Sequence, residues 1–319
     1  MDFLMKKPVL LFILKMAIAL ATMLLLFTQL DFQEIRSALQ NPAYPLFILF
    51  ALLLLIPNLF LQWYRWHFLL RTIQPDVRVS ESLGSLFGGV LVGFITPGRI
   101  GEMGRSLFLK ETDRWQAFGL AFLDKLYSLL VILVGGIWGV FLLVCHLFHY
   151  AAFIFWPFCA VALIITLMAV GIALHPQWVR SFLYNLSLIL PRRDKMKRLM
   201  GCMDRFRKEQ ATMLLVLSFM LYGIYILQFC LLARAFQTLP WLAAVTATTS
   251  TFFAKTLLPV SLADLGIREG AAVFFFQKFQ VGKVTAFNSS ILLFSINVLI
   301  PTVLGLLFLL INWKDSRPS

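Results

Sequence analysis

The sequence predicts an all-α, polytopic integral membrane protein: one transmembrane domain over residues 1–319 with two re-entrant segments in an inverted-topology repeat. Three observations carry this. Hydrophobic residues make up 60% of the chain, charged residues only 13%, and the mean hydropathy is +0.86. A soluble globule of this composition would expose far too much apolar surface. Apolar runs long enough for a bilayer alternate with short loops that carry most of the Lys and Arg. Two further runs are too short or too polar to cross, and each ends at a proline followed by an acid and an arginine.

The formal charge of +13 raises nucleic acid as a partner. The excess lies between apolar spans, however, as cytoplasmic anchoring charge does, and no RNA- or DNA-binding motif is present. The 32 phenylalanines suit helices that face lipid. Cys145, Cys159 and Cys230 fall in apolar spans and Cys202 in a basic loop, so neither a disulfide framework nor a CxxC metal site is implied.

In order, the chain opens with Lys6 and Lys7 before an apolar run from about 8 to 27. That run is long for a signal peptide, is interrupted by Lys15, and lacks a small-x-small cleavage site before Asp31, so it reads as an uncleaved first span. A second span runs from Pro45 to about Leu61 and ends in Trp63-Tyr64-Arg65-Trp66-His67, an aromatic and basic belt suited to an interface. Residues 83–97 are apolar, glycine-rich and too short for a hydrocarbon core of about 30 Å, so they are read as re-entrant. Spans follow at about 117–145 and 150–174, separated by a turn holding His146 and His149, which lack a third metal ligand nearby.

Between His175 and Thr212 lies a basic, partly amphipathic loop with nine Lys/Arg against three Asp/Glu, suited to anionic lipid headgroups. A span from about Met213 to Ala235 comes next. Trp241 to Val260 carries Thr246, Thr248, Thr249, Ser250, Thr251 and Lys255 before Pro259, and is the second re-entrant segment. Residues 269–280 form a short apolar helix, and the last span runs from about Ser289 to Ile311. Placing the basic loop in the cytoplasm puts 20 Lys/Arg inside and six outside, with Lys15 and Lys125 inside spans. Both termini are then cytoplasmic and the protein is a multi-pass protein of the inner, cytoplasmic membrane.

The candidate site begins at Pro97-Gly98-Arg99-Ile100-Gly101-Glu102-Met103-Gly104-Arg105. A helix broken at Pro97-Gly98 frees backbone groups that lipid cannot satisfy, so the break belongs in a protein-lined or watery cavity. Gly98, Gly101 and Gly104 recur every third residue and allow close approach, while Glu102 and Arg105 share a helix face. This segment can be laid on residues 257–268, with Pro97 on Pro259, Glu102 on Asp264, Gly104 on Gly266, and Arg105 one place short of Arg268. The first copy spans about 45–146 and the second about 213–312. One enters from inside and the other from outside, the inverted repeat of secondary transporters.

These residues, with Leu123-Asp124-Lys125 and Leu258 to Glu269, resemble the signatures of the flippase-like membrane domain of lysylphosphatidylglycerol synthases. In that family the first motif commonly reads Pro-Gly-Arg-x-Gly-Glu-x-x-Arg and the second ends Gly-x-x-Glu. This chain keeps the first and has Ala263-Asp264 where Gly-Gly is more usual. Relatives with an aminoacyltransferase domain make the aminoacylated lipid, and none follows before Ser319. The resemblance therefore implies lipid translocation rather than an enzyme, with no cofactor and no metal.

On this reading Arg99, Arg105, Arg268, Lys125 and Lys255 face a lipid phosphate. Glu102, Asp124, Asp264 and Glu269 pair them, accept a cationic headgroup, or carry a coupling proton. The cargo is a membrane phospholipid, aminoacylated or not. The alternatives are a polyprenyl-phosphate lipid or its sugar-linked form, or a non-transporting subunit of envelope glycan or lipid synthesis. No HExxH, GxSxG or DxD-type cluster supports an enzyme. A homo-oligomer or a separate synthase is the protein partner this leaves.

Overall fold

A computed structural model describes residues 32–96, 98–109, 112–149, 152–189, 201–202, 206–258 and 264–314. The expected first span, at 8–27, lies outside them, as do Pro97 and Pro259. All regular structure among the described residues is helical. Five stretches are long and apolar enough to cross a membrane: Pro45–Leu70, Arg114–Leu147, Phe155–Leu174, Lys208–Phe236 and Lys283–Ile311. Their outward faces carry large apolar side chains such as Leu46, Ile56, Trp156, Leu167 and Ile311, each more than 60% exposed. Lipid is the solvent that such a surface requires, and the protein is a multi-pass membrane protein.

The chain opens with α1 (Phe32–Gln40), then α2 (Pro45–Leu53) and α3 (Leu55–Leu70), which together make the first described span. Pro45 sits in the first turn of α2, where its missing N–H costs nothing. Pro57 cannot donate to the carbonyl four residues back, and the helix register breaks at Leu54. The helix does not stop near Leu61 as the aromatic belt predicts. It runs on to Leu70, and Arg65, Trp66, Leu69 and Leu70 are buried. The belt composition hides a helix end that packs against protein.

Next come α4 (Val79–Phe94) and a 3-10 helix (Ile100–Phe108), folded back on one another. At 1.5 Å per residue α4 is only about 24 Å long, short of a bilayer core of about 30 Å. A nine-residue 3-10 helix is long for its kind. What holds it is a groove of small residues, Ser85, Gly89 and Gly93, spaced four apart on α4. Residues three apart eclipse on a 3-10 helix, so Glu102 and Arg105 form a ridge that lies in this groove. A Cβ on Gly93 would come 2.7 Å from Glu102 Cγ, and one on Gly89 would come 2.7 Å from Arg105 Cβ. Ser85 Oγ donates to the Arg105 carbonyl at 2.7 Å. Gly101 is equally confined, beneath the Val92 carbonyl, but a methyl on Gly104 would meet nothing nearer than 3.6 Å. The close approach expected at Gly104 is therefore made at Gly89 and Gly93 instead.

Asp113 caps α5 (Arg114–Leu147), accepting from the Trp115 and Gln116 amides. After α6 (Ala152–Leu174), the expected basic loop begins as a helix, α7 (Pro176–Ile189); most of its charge lies outside the described residues. Cys202, expected in a loop, is fully buried in a core with Trp66, Leu120 and Phe206. The remaining elements are α8 (Lys208–Phe236), α9 (Trp241–Leu257), α10 (Ile267–Gln277), α11 (Lys283–Phe294), a π turn (Ser295–Leu299) and α12 (Ile300–Lys314). Pro301 removes the amide that would bond the Asn297 carbonyl, and the wider π turn absorbs the loss.

The two short helices pack crosswise. α4 lies against α12, with Phe87 and Phe308 ring centroids 5.4 Å apart, and α9 lies against α5, with Gly136 under Phe253 and Gly139 under Thr249. Each short helix thus leans on the long span of the other half. The two larger apolar cores among the described residues lie around Phe229, Phe252 and Phe276 and around Trp66, Leu120 and Leu123. Asn58, between the two cores on α3, donates to Asn297 at 2.8 Å, and Asn297 donates to Gln228 at 3.0 Å. This buried amide triad ties α3, α8 and the π turn together.

Candidate functional site

The first break is held by Thr96, whose hydroxyl donates to the Val92 carbonyl at 3.0 Å and accepts the Gly101 amide at 2.8 Å. Gly98 and Arg99 then take left-handed backbone, φ 59° and 54°. For arginine that conformation costs about 1–2 kcal/mol. Its guanidinium recovers a charge-assisted contact to Glu102 at 2.6 Å, of about 1.5–3 kcal/mol, enough to offset the strain. Strain at a functional site is a common pairing, and here it aims Arg99 at its partner.

Two carboxylates organise this half, and each serves two cations. Glu102 meets Arg99 at 2.6 Å and Lys125 at 3.1 Å. Asp124 meets Arg65 at 2.6 Å and Arg105 at 2.7 Å. Arg65 also donates to the Asp124 carbonyl and to Ser128 Oγ, and Arg105 lies 3.9 Å above the Trp66 ring. Arg105 thus pairs with Asp124, not with the Glu102 of its own helix face. Glu102 turns to Arg99 because the left-handed residue brings that guanidinium back over the first turn.

The second half uses one cation per acid. Lys255 near the end of α9 reaches Asp264 at 2.9 Å. Asp264 and Gly266 have φ 65° and 84°, a second left-handed pair after a break. Glu269 caps α10 by accepting the Gly266 amide at 2.6 Å and pairs with Arg268, whose Nε donates to Ser290 Oγ at 2.9 Å. The two tips converge on one apolar cluster, where Phe94 and Leu265 both pack on Phe294 and Val298.

Arg99, Glu102, Arg105, Asp124, Lys125, Lys255, Asp264 and Arg268 line a single cavity of about 190 Å³. Of the charged residues singled out from sequence, Glu269 alone stands outside that lining, behind Arg268. The sequence reading missed Arg65, only 2% exposed and central to the cavity, together with Gln62, Tyr225 and Asn297. A signal for it exists: Asn58, Gln62 and Arg65 fall at i, i+4 and i+7, a polar stripe on an otherwise apolar span. Beside the cavity, a wholly apolar groove of about 320 Å³ runs between α3 and α4, lined by Phe60, Trp63, Leu83 and Phe87, and Leu86 walls both spaces.

His146, weighed above as a metal ligand, stacks on Phe279 with ring centroids 5.0 Å apart. Among curated proteins, no similar sequence was found. The family model described as the lysylphosphatidylglycerol synthase TM region matches residues 12–305, a stretch that includes both breaks and every residue of the cavity. The chain belongs to that family.

Proposed function

We propose that the protein is a flippase-like transporter that carries a phosphate-containing lipid across the cytoplasmic membrane and makes or breaks no covalent bond. The observation that carries this reading is the charged cavity between two broken helices. A buried charge at bilayer depth costs from about 2.5 kcal/mol upward, so a cluster of cations there needs a function. Arginine forks suit phosphate. The apolar groove sharing Leu86 with the cavity favours a lipid over a soluble anion, since it offers the tails a path beside the headgroup.

Transport is further supported by the crosswise packing of α4 and α9 and by the left-handed residues after each break, features of two re-entrant hairpins in an inverted repeat. In this proposal α4 enters from the cytoplasmic side and α9 from the other. The basic segment at 175–212 rests on anionic headgroups, and a separate synthase or a second copy is the protein partner. The test is purified protein in vesicles carrying a trace of fluorescent phosphatidylglycerol or fluorescent polyprenyl phosphate, bleached from outside by dithionite. With active protein, bleaching passes the outer-leaflet plateau of protein-free vesicles for at least one lipid. An unchanged plateau for both sinks the reading.

Orientation has its own test. Buried Cys202 cannot report sidedness, but Lys208 and Thr238, at opposite ends of α8, are exposed. In a chain without native cysteines, Thr238→Cys should react with an impermeant maleimide on intact cells and Lys208→Cys should not. The reverse pattern would invert the topology.

A further inference from the structure

We infer that the cavity selects a lipid headgroup bearing two negative charges, a phosphomonoester or a diphosphate, and binds it in the first half of the protein. The inference rests on the transport reading for its lipid but stands on the charges themselves. Among the described residues, six cations line the cavity: Arg65, Arg99, Arg105, Lys125, Lys255 and Arg268. Glu102, Asp124 and Asp264 line it with them, and Glu269 lies behind Arg268. Six against four leaves two positive charges.

The surplus is not spread evenly. Lys255 with Asp264 and Arg268 with Glu269 are one-to-one pairs, so the charges that the second half brings to the cavity cancel. The first half holds four cations on two carboxylates. A second observation falls in the same place. The Nε groups of Arg65, Arg99 and Arg105 are buried with no hydrogen-bond acceptor, whereas Arg268 Nε is satisfied by Ser290. Arg65 and Arg105 are themselves 2% and 7% exposed. Around Glu102 and Asp124 excess charge thus coincides with three of the four unmet arginine Nε donors among the described residues, the fourth being Arg234 Nε outside the cavity.

A buried donor without an acceptor is costly, and a buried unpaired charge more so. A dianion with three or more oxygens offsets the surplus charge and offers acceptors to guanidinium donors that turn toward it. A phosphodiester supplies one charge and leaves one cation uncompensated. An aminoacylated headgroup fits least, because its ammonium would need an acid and all four are already engaged.

The experiment compares ligands that share their tails. Dihexanoyl phosphatidic acid and dihexanoyl phosphatidylglycerol are titrated, below their micelle concentrations, into the full-length protein in a nonionic detergent. At pH 8 a phosphomonoester, with its second pKa near 6, carries close to two charges. Phosphatidic acid should then bind on the order of tenfold tighter than phosphatidylglycerol, or more. The advantage should shrink at pH 5, where the monoester has one charge. Inorganic pyrophosphate should bind more weakly than phosphatidic acid. Lys125→Gln, at a 30% exposed position whose loss leaves Glu102 paired with Arg99, should reduce the phosphatidic acid advantage.

Equal or tighter binding of phosphatidylglycerol at pH 8 overturns the inference. So does pyrophosphate binding as tightly as phosphatidic acid, which would mark a site for a soluble anion, and so does an unaltered preference in Lys125→Gln. The two readings fail separately. A protein that prefers phosphatidic acid but flips no lipid refutes transport alone, and one that flips phosphatidylglycerol without preferring the dianion refutes only this inference.

Discussion

Asp124→Ala should unfold the protein far more readily than any single change among the cations it serves. Asp124 is the one carboxylate between Arg65 and Arg105, at 2.6 and 2.7 Å, and both guanidiniums are more than 90% buried. Removing it strands two like charges in the interior, where breaking even one buried pair costs about 3–5 kcal/mol. Arg105→Ala is different in kind, because Arg65 still neutralises Asp124. Its stability cost should be modest while transport falls steeply. Thermal unfolding in detergent, beside the vesicle assay, separates the two. Adding Arg65→Met to Asp124→Ala removes one stranded charge and should restore part of the lost stability. An Asp124→Ala protein as stable as wild type would mean the pair energies contribute little, and that the charges here are hydrated rather than held.

What the sequence made legible follows from what each residue's signal depends on. Helical class and the spans from Arg114 to Ile311 are set by composition and run length, which are local properties. The charged site was legible because Pro97, Pro259 and the acids near them violate the apolar background. Ion-pair partners were not. Glu102 was expected to face Arg105 from helical spacing, but Arg99 at φ 54° takes its place, and left-handed backbone in a non-glycine residue leaves no pattern in sequence. Arg65 was hidden by its company. Among two tryptophans, a tyrosine and a histidine it reads as an interfacial belt, and only the tertiary fact that α3 runs on against α5 buries it. Gly89 and Gly93 were visible as glycines, yet the groove they form exists only once the 3-10 helix folds back onto α4. Cys202 shows the same limit: its neighbours in sequence are basic, and its neighbours in space are apolar.

The remaining large effect is expected in the second half, and it tests whether two broken helices share one task. Arg268 lines the same cavity as Arg105 although 163 residues separate them. Alternating access requires both halves to release and regain contacts. Arg268→Ala alone would leave Glu269, which is fully buried, without its cation. The informative variant is Arg268→Ala with Glu269→Gln, which keeps an oxygen to cap the Gly266 amide and removes the stranded charge. Losing one charge-assisted phosphate contact, about 1.5–3 kcal/mol, corresponds to a slowing of roughly ten- to a hundredfold. The double variant should therefore fold and lose transport as Arg105→Ala does. A tether makes the same point without removing charge. Phe94 and Leu265, one from each tip, pack on Phe294 and Val298, so cysteines placed there in a cysteine-free chain should be joined by a short reducible linker. Joined tips cannot separate, so lipid scrambling should stop and return on reduction. Transport that continues at full rate with the tips joined would show that the cavity opens by some motion other than their parting, and the inverted-repeat mechanism would fall with it.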